Sequence, residues 1–526
     1  MKTLNSTICR ILFAICLSAV CLIALSTQAA TITVTNTNDS GAGSLRQAMA
    51  DAVNGDTIDF GVAGTITLIT GELLVNKNVT LNGPGSDHLI VDGNHASRVF
   101  HVSGGVTATI AGLTITNGSA SDWGGGIHND QSVLTVNNCN IVGNFAPGWG
   151  GGIFNDSWVS SATLRVTNST LSGNSVNGTG GGIYSDGSYG NATMEIVNST
   201  VSGNLAHVGG GIYNSHSTSN VSNCTVSANS AGYGGGGIFH VGLNSSATLR
   251  ITNSTLSANS APLGAGIYSY GHSDTTTLDV LDSTLKANGI INVWATLRLG
   301  STIFDASEIL NESGIINSFG YNLSSDDGGG FLTATGDQIN STPMLGPLQD
   351  NGGPTFTHAL LTGSPAIDAG DPNFDPNVFN PPMLYDQRGV AYNRVAHGRI
   401  DIGAFEVQIV TPNYAGQVQP PINADGSSNF NFRRGVVPVR FNLTLNGVAT
   451  CELPPATIAM TRTAGGVIGQ VNESDYGGNA DSGSNFRISS CQYVYNLNAR
   501  ALGVGTYRVD ILINGQVVGS ATFGLN

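Results

Sequence analysis

Three aspartates recur at matched places. Asp130, Asp156 and Asp186 each stand three residues after the isoleucine of a Gly-Gly-Ile signature, at Ile127, Ile153 and Ile183. Stacked carboxylates repel unless a cation or sugar hydroxyls share them, so the column reads either as a Ca²⁺ site or as a solvated loop rim. Asp368, Asp371 and Asp375, in "DAGDPNFDPN", form a second oxygen-rich group. They lack the EF-hand pattern and read as Ca²⁺ ligands or as turn formers. His128, His207, His216 and His240 lie near the glycines without H-x-x-x-H spacing, so no zinc site is expected. Trp123 and Trp149 precede the glycines, while Phe154, Tyr184, Tyr213 and Phe239 follow them. Such rings either form a strip for stacking on sugars or pack on one another. Glu195 is the one weak candidate for a catalytic acid, because Arg165 and Arg250 occupy the matching place in other copies of the pattern. Glycoside hydrolysis takes paired carboxylates, and carboxylates here are scattered. No catalytic residue is assigned.

These residues are spaced by a repeat. The signature isoleucines at Ile127, Ile153, Ile183, Ile212, Ile238 and Ile267 are 26, 30, 29, 26 and 29 residues apart. A second landmark keeps step: "NSTLSGN" at Asn168–Asn174 returns as "NSTVSGN" at Asn198–Asn204 and "NSTLSAN" at Asn253–Asn259. Within a unit apolar residues alternate, as in Leu164 and Val166 or Leu249 and Ile251, which is the period of a half-buried strand. No helical pattern separates the units. Short strands repeating at this interval predict a parallel β-helix, a solenoid whose equivalent residues stack about 4.8 Å apart. The clear repeats span about residues 108–291.

Stacking gives each column a meaning. Asn168, Asn198, Asn223 and Asn253 are expected to form a ladder of side-chain amides at a turn, with N-linked glycosylation as the other reading of Asn-x-Ser/Thr. The residues three places before them, Arg165, Glu195, Asn220, Arg250 and Asp279, should face outward, with Arg165 pairing Glu195 and Arg250 pairing Asp279. Cys139 and Cys224 share the next column three units apart, too far for a disulfide, and are expected to be free buried thiols.

Lys2 and Arg10 followed by the apolar run Ile11–Leu25 read as a secretory signal over residues 1–30. No later segment is long and apolar enough to span a bilayer, and no anchor is recognised. The net charge of −15 falls to −17 when Lys2 and Arg10 are removed, which argues against nucleic acid as a partner. The 72 glycines, without a collagen period, suit many tight turns between short strands. Before the repeats, "GSLRQAMADAVNGD" is an amphipathic helix with capping-box spacing at Ser44 and Gln47, expected to plug the first rung.

Several stretches resemble known families. "TNDSGAGSLRQAMADAVNGDTIDF" is similar to the start of secreted bacterial β-helix proteins with a C-S-L-R-E-A-like segment, with Gly43 in place of the cysteine and Gln47 in place of the glutamate. The central units resemble polymorphic outer-membrane protein repeats. "LGPLQDNGGPTFTHALLTGSPAIDAGD", with "DQRG" and "DIGAFE", resembles the closing segment of the choice-of-anchor Q family, here about residues 341–407. The resemblances imply a right-handed parallel β-helix over residues 31–407, secreted or associated with the bacterial cell surface or outer membrane, with no family catalytic residues to carry over. After a linker at 408–421, "RRGVVPVRFNLTLNG" and the residues around "CQYVYNLNARALGVGTYRVDILING" resemble the PxKF module, implying an immunoglobulin-like β-sandwich over 422–526. Within it Cys451 and Cys491 are the natural disulfide pair. The resulting expectation is a non-catalytic extracellular solenoid that binds polysaccharide or cell surfaces. A polysaccharide lyase or hydrolase, and a passive envelope component, are the alternatives.

Overall fold

The computed structural model describes residues 29–243, 245–271, 275–408, 414–445, 447–451, 453–471, 481 and 483–526. The signal segment, apart from its last two residues, lies outside the described residues. The chain divides into two units, Met1–Gln408 and Ile409–Asn526.

The first unit is a parallel β-solenoid of about ten turns. Its strands form three long sheets running from Thr31–Val34 to Ile315–Ser318, from Leu73–Val75 to Ile309–Glu312, and from Gly64–Thr67 to Leu323–Ser324. A fourth, four-stranded sheet from Phe145–Ala146 to Ser230–Gly234 occurs only in the glycine-rich rungs. Parallel pairing thus extends well beyond the clearest repeats. Each rung turns alternate residues into the coil. Ile127, Leu134, Val136 and Ile141 are fully buried, and their counterparts in later rungs continue one apolar core. The helix Leu45–Asp51 adds Leu45, Ala48 and Met49 to that core at its start. Ser44 caps it by accepting from the backbone N–H of Gln47. The expected box is only half made, because the Gln47 side chain turns forward to Asp51 instead.

The recurring motif builds two amide ladders. The expected one forms: Asn198 donates to Asn168 at 3.3 Å, Asn223 to Asn198 at 3.1 Å and Asn253 to Asn223 at 2.8 Å. These asparagines sit at φ of 49° to 54°, the left-handed region that asparagine tolerates best after glycine. The second ladder lies at the last residue of the motif. Asn144, Asn174, Asn204, Asn229, Asn259 and Asn288 are at most 5% exposed, and each Nδ2 donates to the next Oδ1 at 2.7–3.0 Å. Each Oδ1 also accepts the backbone N–H of the preceding ladder member. Between the ladders runs a hydroxyl column in which Ser199 accepts from the N–H of Ser169 and Ser254 from that of Cys224. Cys139 and Cys224 are free buried thiols within it, and burial raises them to about 11 and 12.

The glycines make room for this stacking. A Cβ on Gly151 would lie 2.5 Å from the carbonyl oxygen of Ser175 and 2.6 Å from that of Gly181. No larger residue fits there without moving backbone.

In the charged column Arg165 pairs with Glu195 as expected. Arg250 and Asp279 are register neighbours but do not pair. Asp279 instead takes two bonds from Arg298 of the following rung, at 2.5 and 2.9 Å, since a guanidinium fork on both carboxylate oxygens outcompetes a single contact. Arg250 turns aside over the Phe379 ring, 5.4 Å from its centroid.

Phe379 belongs to the closing segment, which folds back along the flank of the coil. Its only regular pairing is the antiparallel hairpin Leu345–Gln349 with Thr357–Leu360. Gln387 accepts from Thr255 Oγ1 at 2.6 Å and donates to Thr225 Oγ1 at 3.1 Å. Fully buried Arg394 donates to Asp282 at 3.0 Å and lies 3.7 Å from Glu406. Arg388 pairs with Asp386 and is sandwiched between Tyr392 and Phe405, 3.9 and 3.8 Å from their centroids. The "DQRG" and "DIGAFE" residues are therefore a buried ion network that docks the segment.

Among the described residues the second unit is a β domain of two five-stranded sheets, antiparallel except where Asn429–Phe430 runs parallel to Gln516–Leu525. One includes Val436–Leu445 and Gln492–Asn498, the other Ala456–Ala464, Gly505–Ile513 and Gln516–Leu525. Phe441, Tyr493, Tyr495, Tyr507 and Phe523 fill its core. Cys451 and Cys491 are bonded, with Cα atoms 4.7 Å apart. Tyr414–Gln419, read from sequence as linker, is a strand of this unit paired with Val436–Leu445. The alternation of side chains there is too polar to announce a strand.

The two ladders differ in burial, which separates their energetics. Asn204→Ala should destabilise the solenoid by about 1–3 kcal/mol, because it orphans buried amide groups above and below. Asn198→Gly should cost well under that, since glycine keeps the backbone angle. Denaturant unfolding of both variants checks this, and equal losses would refute the distinction.

Candidate functional site

The sheet holding the Gly-Gly-Ile strands builds the chemically richest face. In Ile127–Asp130, Ile153–Asp156 and Ile183–Asp186, the first and third residues enter the coil and the second and fourth leave it. Inside, Asn129 donates to Asn155 at 2.7 Å and Asn155 to Ser185 at 3.1 Å. Outside, the second positions form a column of seven rings: His101, His128, Phe154, Tyr184, Tyr213, Phe239 and Tyr268, with successive centroids 4.9–5.2 Å apart. Phe154, Tyr184 and Phe239 are buried. Burial raises the Tyr184 hydroxyl well above its usual value and that of Tyr213 to about 12. Tyr184, expected as a sugar contact, is buried between Phe154 and Tyr213, whereas Tyr213, expected likewise, is half-buried and stacks on Phe239.

Trp123 and Trp149 stack on each other at 5.2 Å and 10°. Trp123 also meets the edges of His128 and Phe154 at 6.2 and 5.9 Å. Both are only half-buried, so they keep part of the expected strip.

The aspartates are in register as predicted, Asp130 beside Asp156 and Asp156 beside Asp186. They do not act as one rim. Asp156 Oδ1 accepts the backbone N–H of Trp158 at 2.9 Å, and Asp186 Oδ1 accepts that of Ser188 at 3.0 Å. Each carboxylate thereby fixes a tight turn, and the turns present two aromatic residues that the sequence reading passed over. Trp158 is 49% and Tyr189 67% exposed, their ring centroids 4.4 Å apart. The available signal was only that an aromatic residue closely follows the Asp column in both rungs, two residues after Asp156 and three after Asp186.

Asp130 faces another neighbourhood. His101 Nδ1 lies 3.1 Å from Glu72 Oε1, and its Nε2 lies 3.8 Å from Asp130 Oδ2, an ion-pair separation too long for a hydrogen bond. Arg98 holds Glu72 from behind at 2.6 Å and pairs with Asp122. His128 Nε2 lies 3.4 Å from Asp156 Oδ2. The Asp130 and Glu72 carboxylates hold the His101 imidazolium up to about 9, whereas burial lowers His128. Among the described residues, His128, Asp130 and Asp156 are the one group of three or more His, Cys, Asp or Glu close enough to hold an ion. Asp186 stands outside it. Asp368, Asp371 and Asp375 do not gather either: Asp368 pairs with His397 at 3.2 Å, while Asp371 and Asp375 accept from Asn373 and Asn377. Turn chemistry, the second reading of that segment, is what these aspartates do.

Glu195 opens into a groove of about 500 Å³ between the flank of the coil and the closing segment, lined also by Asn198, Asn223, Arg250, Phe379 and Tyr385. It is the only carboxylate among the lining residues, and Arg165 already pairs with it.

The raised value of His101 has a consequence for stability in metal-free buffer. A group whose proton is held more tightly when folded stabilises the fold fully below its unfolded value near 6.5, and that contribution is lost as pH rises through about 9. Wild type should therefore lead His101→Gln in thermal stability at pH 6 and lose that lead by pH 9.5. A lead independent of pH would count against the charged pair.

No known protein-family model matches the chain, and no curated protein matches it.

Proposed function

We propose that this chain is a secreted or cell-surface β-solenoid that binds extracellular glycans or cell surfaces without catalysis, with Trp158 and Tyr189 as its contact residues. The observation that carries the reading is the exposed ring pair at 4.4 Å. A folded chain does not normally leave two adjoining aromatic rings half or more in water. Flat apolar faces beside polar groups suit the C–H faces of sugar rings, and Ser188 and His216 stand hydrogen-bonded next to Tyr189. The half-buried Trp123 and Trp149 extend the aromatic character of the same rungs. The acidic charge and the resemblance to choice-of-anchor Q and C-S-L-R-E-A-type proteins fit an envelope setting. That family assignment, the signal segment and the PxKF-like and immunoglobulin-like reading of the second unit belong to the same proposal.

One observation favours a second reading, a lyase or hydrolase of acidic polysaccharide. Glu195 and Arg250 line one groove, the residue types that such chemistry uses. A single lining carboxylate, itself ion-paired, falls short of the acid and base that hydrolysis takes.

A glycan array, followed by calorimetry on the best ligand, tests the proposal. Trp158→Ala and Tyr189→Ala should each weaken binding about 5- to 30-fold, the scale of a buried aromatic contact. Unchanged affinity in the folded double variant would overturn the assignment of these rings. Product release from an acidic polysaccharide, abolished in Glu195→Gln, would establish the enzyme reading instead.

A further inference from the structure

We infer that His128, Asp130 and Asp156, with His101 stacked beside them, form a binding site for a divalent transition metal of the zinc type. Linear spacing rules conceal such a site. In a helix, ligands on one face stand three or four residues apart; in a stacked coil they stand one rung apart. His101 is in register with His128, and Asp130 with Asp156. Within one strand, His128 and Asp130 are two residues apart and share the outward face. Two adjacent rungs thus deliver His-x-Asp and the next carboxylate to one place.

The separations suit ligands of a common ion. Bonds of about 2.0–2.2 Å in tetrahedral geometry place donor atoms about 3.4 Å from one another. His128 Nε2 and Asp156 Oδ2 are 3.4 Å apart, and His101 Nε2 and Asp130 Oδ2 are 3.8 Å apart. The three principal donor atoms all lie within 4.8 Å of one another, so side-chain shifts of about an ångström bring them onto one centre.

Two independent features point inward. His101 Nε2 is a buried nitrogen with no hydrogen-bond partner. Its Nδ1 is taken by Glu72, itself gripped by Arg98, which is the outer carboxylate arrangement that aims an imidazole at a metal. Asp156 is likewise oriented, since its Oδ1 is engaged by the Trp158 N–H while Oδ2 faces His128. The side chains of His128 and Asp156 are each 8% exposed and that of Asp130 is 30% exposed, so an ion enters past Asp130. Imidazole with few carboxylates selects zinc, cobalt, nickel or copper over calcium, which takes six to eight oxygens.

The proposal does not depend on any glycan. The test uses the full chain, stripped with chelator and titrated with Co²⁺. One ion per chain is expected, with d–d absorption of a site with mixed nitrogen and oxygen ligands and quenching of tryptophan emission, because the Trp123 ring lies 6.2 Å from that of His128. Zn²⁺ should displace the cobalt and Ca²⁺ should not. Asp130→Asn, at a partly exposed position that keeps its shape, should weaken binding at least about tenfold, and His128→Gln should abolish the absorption while unfolding cooperatively. No uptake, displacement by Ca²⁺ at equal concentration, or unchanged affinity in both folded variants would overturn the site.

Discussion

Asn174, Asn204 and Asn229 each receive hydrogen bonds from the rung on one side and donate to the rung on the other, in a layer closed to water. That axial exchange is the constraint on which the solenoid depends. A parallel strand can slip by two residues without reversing its faces, but an amide that must meet its counterpart in the next rung cannot slip at all. The glycines beside the ladder impose the same condition sterically, because carbonyl oxygens of neighbouring rungs occupy the space where a Cβ would be. With register fixed in this way, every other column is a geometric consequence. The buried isoleucines, the seven stacked rings, the hydroxyl row and the paired aspartates all inherit their spacing from it.

The rung period, the strands and the outer asparagine column were legible because they recur in identical words. The inner ladder recurs just as faithfully at Asn174, Asn204 and Asn259. It was overshadowed by the Asn-x-Ser/Thr at the other end of the same motif, and alternation alone does not tell which asparagine turns inward at a corner. Arg250 was misassigned because its real neighbour, Phe379, arrives from more than a hundred residues away. Nothing in the strand Ile183–Asp186 itself reveals that Tyr184 is covered. Trp158 and Tyr189 stand two and three residues after their aspartates, so no shared column announces them. The histidines carry no helical ligand spacing, because the coil measures distance in whole rungs.

Polar side chains thus have opposite uses on the two faces of the coil wall. Inside, amides and hydroxyls bond chiefly to one another along the axis, away from solvent. Outside, the ring column runs from His101 to Tyr268 and gives way to Ile291 in the next rung, while the aspartate column ends at Asp186, beside Ser215. The closing segment bonds to a different stretch, from Asn223 to Ser301, and brings its own buried charges to do so. The early rungs keep their chemistry uncovered by it.

The turns after Asp156 and Asp186 hang from the coil by carboxylate bonds to the first residues of each turn. Beyond those bonds the tips carry residues that stand in solvent, among them Trp158, Val159 and Tyr189. A scaffold of this kind separates the part of the gene that must be copied faithfully from the part that can diversify, as antibody frameworks do with their hypervariable loops. Related solenoids that share every asparagine could therefore display unrelated tips, and a randomised library inserted at those two turns would explore new specificities on an unchanged backbone.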